Sequence, residues 1–195
     1  MKRSIAKARE KQTGSAAIEF ALVGIIFFTI VFATLELARV EYLLNTLEEV
    51  TRRAAAAAAN VDYRNAAALE NVRAAAVYRH SSGPLALGTP VGSSNVKIDY
   101  LSLSKGTWTL HHMNALPACP AGNRLNCMTD PNADNCIRFV RARVCASMDG
   151  SGNCTNLPYR MVFPFLDLSR MTLPSAETIV PAGTLGAPAG AMPCT

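Results

Sequence analysis

Gly14-Ser-Ala-Ala-Ile-Glu-Phe20 joins a basic amino-terminal segment to a long apolar run, and this stretch decides the fold. Residues 20–35 carry no charge, and residues 15–35 are interrupted by one charged side chain, Glu19. As a helix, residues 15–35 extend about 31 Å, enough to cross a bilayer core of about 30 Å. A carboxylate inside such a helix costs up to about 3 kcal/mol, so Glu19 is expected to have a partner. An amino group freed by cleavage after Gly14 is one such partner.

Most of the net positive charge lies at the amino-terminal end of the chain. The formal net charge is +5 over 195 residues, and residues 1–14 hold five Lys and Arg side chains against one carboxylate, Glu10. Only about one net positive charge is left for the rest of the chain, which argues against a nucleic-acid partner. The basic residues instead predict a cytoplasmic amino terminus with the remainder exported across the membrane. The length allows one membrane helix and one modest domain.

The start of the apolar run differs from an ordinary secretory signal. Such a signal ends in an Ala-x-Ala-like cleavage site, whereas residues 33–38 lack this site and continue a helical pattern. Two interpretations remain, an uncleaved signal anchor and a leader that is cut after Gly14.

The segment after the membrane run predicts an amphipathic helix over residues 36–80. An apolar stripe follows the helical period, and two i, i+4 ion pairs are expected, Glu48 with Arg52 and Glu49 with Arg53. A hinge is expected at residues 60–62, with helix resuming over residues 63–79. The stripe consists of Leu37, Val40, Leu44 and Leu47.

These motifs resemble a known family. Residues 14–23 are similar to the start of TadE-like pseudopilins, which carry a type IV pilin-like leader, and further similarity lies in residues 36–39 and 48–55. The specific part of the resemblance covers about residues 14–56, and a looser part covers residues 161–166 and 173–176. Such proteins are minor pilins or assembly factors of tight-adherence (Tad or Flp) pili.

The resemblance implies a role for each residue of the leader junction. Gly14 would be the last leader residue, cut by a prepilin peptidase, and Ser15 would become the mature amino terminus. Glu19 would pair with the terminal amine of a neighbouring subunit, and Phe20 would pack against lipid or neighbours. The expected location is the bacterial inner membrane with the carboxy-terminal domain outside the cytoplasm. The expected partners are membrane lipid, the peptidase, other pilin subunits and the Tad assembly platform.

The sequence of the part expected to be exported predicts a small antiparallel sheet. Residues 81–95 are rich in Gly, Pro and Ser and predict a linker, and residues 96–180 form the head. Residues 96–100 and 107–110 predict a hairpin, and residues 137–146 and 158–168 predict two more strands, the last at an edge because it contains Pro164. A loop rich in Pro, Asn and Cys is expected over residues 114–135, and the tail, residues 181–195, is expected to be irregular. The fold class is therefore α+β, a long membrane-spanning helix packed against a small sheet.

Six cysteines all follow the membrane run and favour disulfides in an exported domain. Fifteen pairings are possible, and the sequence does not choose among them. Zinc is the competing interpretation, but no pair has CxxC spacing. The cysteines are Cys119, Cys127, Cys136, Cys145, Cys154 and Cys194.

Other side chains give only weak signals of chemistry. Asp130, Asn132 and Asp134 alternate as calcium ligands do, but the loop lacks the glycine and glutamate of an EF-hand, so a solvated turn is expected. His111 and His112 adjoin a strand and should point to opposite faces. We expect no enzyme and no cofactor.

The arginines at 138, 141 and 143 are expected to be solvated, with a bulge near Val140 that turns Val140, Ala142, Val144 and Ala146 inward. The rival functions are an uncleaved single-pass protein with a binding or adhesion module and, less favoured, an exported hydrolase.

Overall fold

A computed structural model describes residues 13–163, 171–192 and 194. It confirms the α+β class, with a long amino-terminal helix packed on a four-stranded antiparallel sheet. Residues 1–12, most of the predicted leader, and the part of the predicted strand that begins at Pro164 lie outside the described residues.

Helix α1 (Thr13–Ala58) has 46 residues and is about 69 Å long. Beyond Leu35 it is amphipathic, as predicted, and Leu47 and Val40 of the predicted stripe pack in the core, but Leu37 does not and Leu43 and Val50 take part instead. Leu37 is 63% exposed, whereas Leu43, Leu47 and Val50 are at most 1% exposed. Each of these buried side chains contributes about 1.5–3 kcal/mol.

The ion pairs on the exposed face of α1 differ from the prediction in one partner. Glu49 pairs with Arg53 at 3.1 Å, as expected, and also with Arg52 at 2.7 Å, so Arg52 takes Glu49 rather than Glu48. The i, i+3 spacing brings the two side chains onto neighbouring positions of the helix surface.

The predicted hinge after α1 is confirmed. Helix α2 (Ala66–Ala76) begins after Asn65, whose side-chain oxygen accepts a hydrogen bond from the Ala68 amide at 3.0 Å. This N-cap explains why the second helix starts three residues later than predicted.

The sheet has the order β2-β1-β3-β4. Strand β1 (Val96–Leu103) pairs antiparallel with β2 (Leu110–His112), which confirms the hairpin, although β2 begins later than predicted. The Ser104 amide donates to the Thr109 carbonyl and closes the intervening turn. Strand β3 (Phe139–Val144) lies within the predicted segment 137–146.

Strand β4 (Glu177–Pro181) takes the edge position beside β3. The sequence predicted the last strand at residues 158–168 instead. In the described part of that segment, Pro158 forms only an isolated bridge with Thr172. The fourth strand is thus a different segment from the one predicted.

One face of the sheet packs on the second half of α1. Val96 of β1 and Ala142 and Val144 of β3 join the Leu43, Leu47 cluster on α1. A second cluster centres on Tyr63, Tyr100 and Val140 near the end of α1. The head therefore uses α1 as one wall of its own core.

Two segments of irregular sequence also contribute to this core. In residues 81–95, predicted as a linker, Leu85 and Val91 are buried, and a short 3-10 turn (Ser93–Asn95) leads into β1. In the tail, Leu185 is buried, and the Gly183 and Leu185 amides donate to the Ala59 carbonyl. Both segments are held against the helix rather than extended away from it.

The six cysteines form three disulfides, Cys119–Cys194, Cys127–Cys136 and Cys145–Cys154. The first closes 75 residues and ties the tail to the start of α3 (Pro120–Thr129). Helix α3 lies in a stretch that was predicted as a loop. Cys119 caps it, and Pro120 occupies its first turn, where proline is favourable.

Candidate functional site

The predicted leader junction lies at the start of α1. Gly14 and Ser15 have helical backbone in its first turn. Glu19 is four residues beyond Ser15, so the two positions share a helix face, and Glu19 lies on the exposed surface of α1. Phe20 is 81% exposed. Glu19 and Phe20 therefore both lie on the exposed surface at the start of α1.

The next three turns of α1, residues 20–30, carry no charge, and within the described chain all of them except Gly24 are exposed. An 18-residue window of this helix is apolar enough to cross a membrane, and 0% of it is buried. Ile18, Val23 and Ile25 are each 65% exposed. So large an apolar surface is covered in the cell by lipid or by other helices.

A groove runs along this apolar surface. Ala21 and Gly24 form its floor, and a Cβ at Gly24 would meet no atom within 4 Å. Small residues between large ones let a second helix approach closely in a membrane. The remaining lining consists of Phe20, Ile25, Phe28, Thr29 and Phe32.

At the end of the apolar run, Glu36 and Arg39 fasten the helix to the head. Glu36 is 3% exposed and accepts hydrogen bonds from the Tyr159 hydroxyl and, at 3.4 Å, from the Val162 amide. Arg39 Nη1 lies 3.1 Å from Glu36 Oε1. We call Glu36, Arg39 and Tyr159 the clasp.

Arg39 extends the clasp to two loops of the head. Its guanidinium donates to the carbonyls of Leu87, Thr89 and Arg160 at 2.7–2.9 Å. It also lies over the Tyr159 ring, 5.3 Å from the centroid. A planar guanidinium with five donors is suited to holding several acceptors at once.

The environment of the clasp keeps Tyr159 protonated. Burial first, and then the hydrogen bond to Glu36, raise the pKa of Tyr159 to about 12. The hydroxyl therefore remains a donor to the carboxylate at all physiological pH values.

The outer face of the sheet holds a second group of buried charges. Asp99 is 2% exposed, and its Oδ2 lies 2.9 Å from Arg141 Nη2 and 2.6 Å from Arg143 Nη2. Asp99 is directly opposite Arg141 in the register of β1 and β3. The expectation of solvated arginines is wrong for these two, because Asp99 neutralises them on the same face of the sheet. No bulge is needed to place Val140, Ala142 and Val144 inward, since β1 and β3 pair residue by residue.

The other predicted candidates remain single side chains. His112 pairs with Leu101 and His111 with Ser102, so the two rings point to opposite faces, as expected. Asp130 accepts from the Asn132 amide at 2.9 Å in a turn. Within the residues that the structure describes, no group of three or more His, Cys, Asp or Glu is placed to hold a metal ion.

The clasp and the Asp99 pairs were not predicted from the sequence as functional groups. Glu36 and Arg39 gave a local signal, an i, i+3 charge pair directly after an apolar run. Tyr159 gave none, because it lies 123 residues from Glu36 along the chain.

Comparison with known proteins gives one match. Residues 14–56 match the family model of TadE-like proteins, which confirms the resemblance over nearly all of α1. Searches of curated proteins and of solved structures found no match. The matched segment and the exposed apolar helix together support a membrane protein related to Tad pili.

Proposed function

We propose that this chain is a minor pseudopilin, a structural subunit that is processed after Gly14 and takes part in assembling a Tad (Flp) pilus. The observation that carries the proposal is the first half of α1. It lies within the TadE-like match, contains the Gly14 to Glu19 junction, and is exposed over residues 20–30 apart from Gly24.

Charge and disulfides support a defined orientation. The basic residues before Gly14 favour a cytoplasmic leader in the inner membrane, where a prepilin peptidase would release Ser15 as the new amino terminus. Three disulfides favour an oxidising compartment for the head, on the opposite side of the membrane.

Glu19 provides the proposed contact between subunits. A carboxylate and an ammonium are each costly in a membrane and tolerable together. The amine of Ser15, once released, would supply the positive charge to Glu19 of a neighbouring subunit. Pairing of this kind would place subunits in a fixed axial register.

The groove on α1 provides the apolar part of the same contact. Ala21 and Gly24 lie one and two turns beyond Ala17, so a neighbouring pilin helix can approach the backbone there. The proposed partners are therefore other pilin subunits and the Tad assembly platform.

Substitution of Glu19 tests the assembly role. We expect E19A to be processed normally but lost from the sheared pilus fraction, whereas E41A, a change at an exposed glutamate in the second half of α1, is incorporated as in wild type. Processing is read from intact mass, and incorporation from the pilus fraction. Incorporation of E19A at the wild-type level would contradict the proposed pairing.

The second candidate function is an uncleaved single-pass protein whose head is a binding or adhesion module. It is favoured by one observation, that the disulfide-bonded head lies outside the TadE-like match. A leader retained in cells that contain the peptidase would select this function.

A further inference from the structure

The head begins to cover α1 before the apolar run has ended. Val31, Phe32 and Ala33 are partly buried, although the first charge after the run is Glu36. The Phe163 ring lies 4.7 Å from the Phe32 ring, centroid to centroid. A segment of the head therefore sits level with the last turns of the membrane-length helix.

The length of the apolar run decides whether this level is inside the bilayer. If the membrane ended below Val31, residues 15–30 would have to span it with about 24 Å of helix, against a core of about 30 Å. Tilting the helix would increase the shortfall. The bilayer must therefore reach Phe32, and Phe163 lies at the same depth.

Two exposed apolar side chains of the head lie beside α1, at the level of Phe32 and just beyond it. Val162 is 58% exposed, and its amide is bonded to Glu36. Leu87 is 81% exposed at the tip of a loop that Tyr42 holds by donating to the Ala86 carbonyl at 3.1 Å. We call Leu87, Val162 and Phe163 the collar.

The two parts of the collar lie at different heights. Arg39 binds the Leu87 carbonyl and is four residues beyond Leu35, about 6 Å along the axis, which is the depth of the lipid headgroups. Tyr42, which holds the same loop, is an amphipathic side chain of the kind enriched at that interface. Val162 and Phe163 lie deeper, level with Phe32 and Glu36.

Several polar groups at the level of the collar are satisfied within the protein. Glu36 and Arg39 bind each other, Glu36 accepts from the Val162 amide, and Arg39 also binds backbone carbonyls of both loops. Irregular backbone enters the hydrocarbon region only when its hydrogen bonds are met by protein, and the clasp meets these ones.

We propose that the collar is a membrane-contact surface, covered by lipid of the leaflet on the head's side of the bilayer that α1 spans. Lipid is the expected cover because the collar is continuous with the exposed apolar face of α1. This contact requires α1 to span a bilayer, and it depends on neither leader cleavage nor pilus assembly. It makes the head a partly embedded domain rather than one held above the membrane.

Tryptophan quenching by brominated lipids tests this proposal. The chain has one tryptophan, Trp108, which is 71% exposed in the turn after β1, beyond the end of α1 that is distant from the membrane. The full chain is placed in phosphatidylcholine–phosphatidylglycerol vesicles whose acyl chains are brominated near the glycerol end. Wild type serves as the matched control, and W108F/V162W and W108F/L87W carry the probe in the collar.

In brominated vesicles we expect W108F/V162W to lose most of the tryptophan fluorescence that it has in unbrominated vesicles. We also expect its emission to lie at shorter wavelength than that of wild type. W108F/L87W should be quenched less, and wild type should be unchanged. Both substituted positions are exposed, and protease resistance equal to wild type checks that the head is folded. Absence of quenching in folded W108F/V162W overturns the proposal. Long-wavelength emission would then mean that the collar is in water, and short-wavelength emission that protein, such as a second copy, covers it.

Discussion

Helix α1 is continuous, but its two halves differ in what covers their side chains. Between Phe20 and Ile30 the side chains carry no charge and, apart from Gly24, the residues are exposed, as at Phe20, which is 81% exposed. After Glu36 the helix is amphipathic, and Leu47 is 1% exposed against the sheet. The second half is thus part of the head's core, whereas the first half requires cover from outside the chain.

This difference indicates how the chain divides its tasks. The head supplies its own core from the second half of α1, the sheet and the loops. Residues 20–30 of α1 are largely exposed within the described chain, and we propose that lipid and then other subunits cover them. The clasp of Glu36, Arg39 and Tyr159 lies at the boundary between the two.

The largest expected loss of stability that affects the head but not the membrane half of α1 comes from removing a buried charge of the head. D99N removes the shared carboxylate of Arg141 and Arg143 and leaves Arg143 only Glu177, at 3.9 Å; loss of one partner of a buried pair costs about 3–5 kcal/mol. We expect the head to lose protease resistance while α1 remains in the membrane fraction. Head stability is measured by denaturant titration in detergent.

The matched control for D99N is D62N, which breaks an exposed pair. Asp62 lies 2.8 Å from Arg64 on the surface, and such a pair contributes at most about 1 kcal/mol. Equal loss of stability in D62N and D99N would contradict the assignment of Asp99 as a buried structural charge.

The same comparison can be made with one residue type in both halves of α1. L47A removes a fully buried side chain, and we expect it to destabilise the head by about 2–5 kcal/mol. L22A makes the same change at a position that is 57% exposed and should leave the denaturation midpoint of the head unchanged. A shift of that midpoint in L22A would show that the two halves are coupled, contrary to this division of tasks.

The smallest expected effect concerns the boundary and depends on pH. An unfolded tyrosine loses its proton near pH 10, whereas the folded state holds the proton of Tyr159 to about pH 12. The contribution of this group is therefore complete below about pH 10 and is lost as the pH rises through 12.

Y159F removes the clasp hydroxyl and should lower the melting temperature at neutral pH, since a hydrogen bond to a carboxylate contributes about 1.5–3 kcal/mol. The difference in melting temperature between wild type and Y159F should shrink above about pH 10. A difference that stays constant through that range would rule out the Tyr159 hydroxyl as its source.

The local features of the fold could be predicted from the sequence. The apolar run, the amphipathic continuation and the hinge follow from residue pattern alone, and β1 from alternation. Helix α3 was missed because Pro, Asn and Cys dominate its surroundings, although Pro120 after Cys119 is a start signal. Strand β4 was missed because it is short and directly precedes the Gly- and Pro-rich tail.

The features that join distant parts of the chain could not be predicted. The observed disulfide pattern is one of the fifteen possible pairings of six cysteines, and the spacing of the cysteines along the chain does not select it. The pairing of Asp99 with Arg141 requires the register of two strands, and the clasp requires Tyr159 to reach Glu36 across the fold. In the candidate site, the junction from Gly14 to Phe20 was predicted, and its processing and pairing remain predictions.

The most direct test of the central claim is the amino terminus of the mature protein. Intact mass and amino-terminal sequencing are measured on membrane-extracted protein from cells with and without the prepilin peptidase. We predict a chain beginning at Ser15 in the first cells and a chain retaining the leader in the second. A leader retained equally in both would contradict the pseudopilin account and leave an anchored, exported domain.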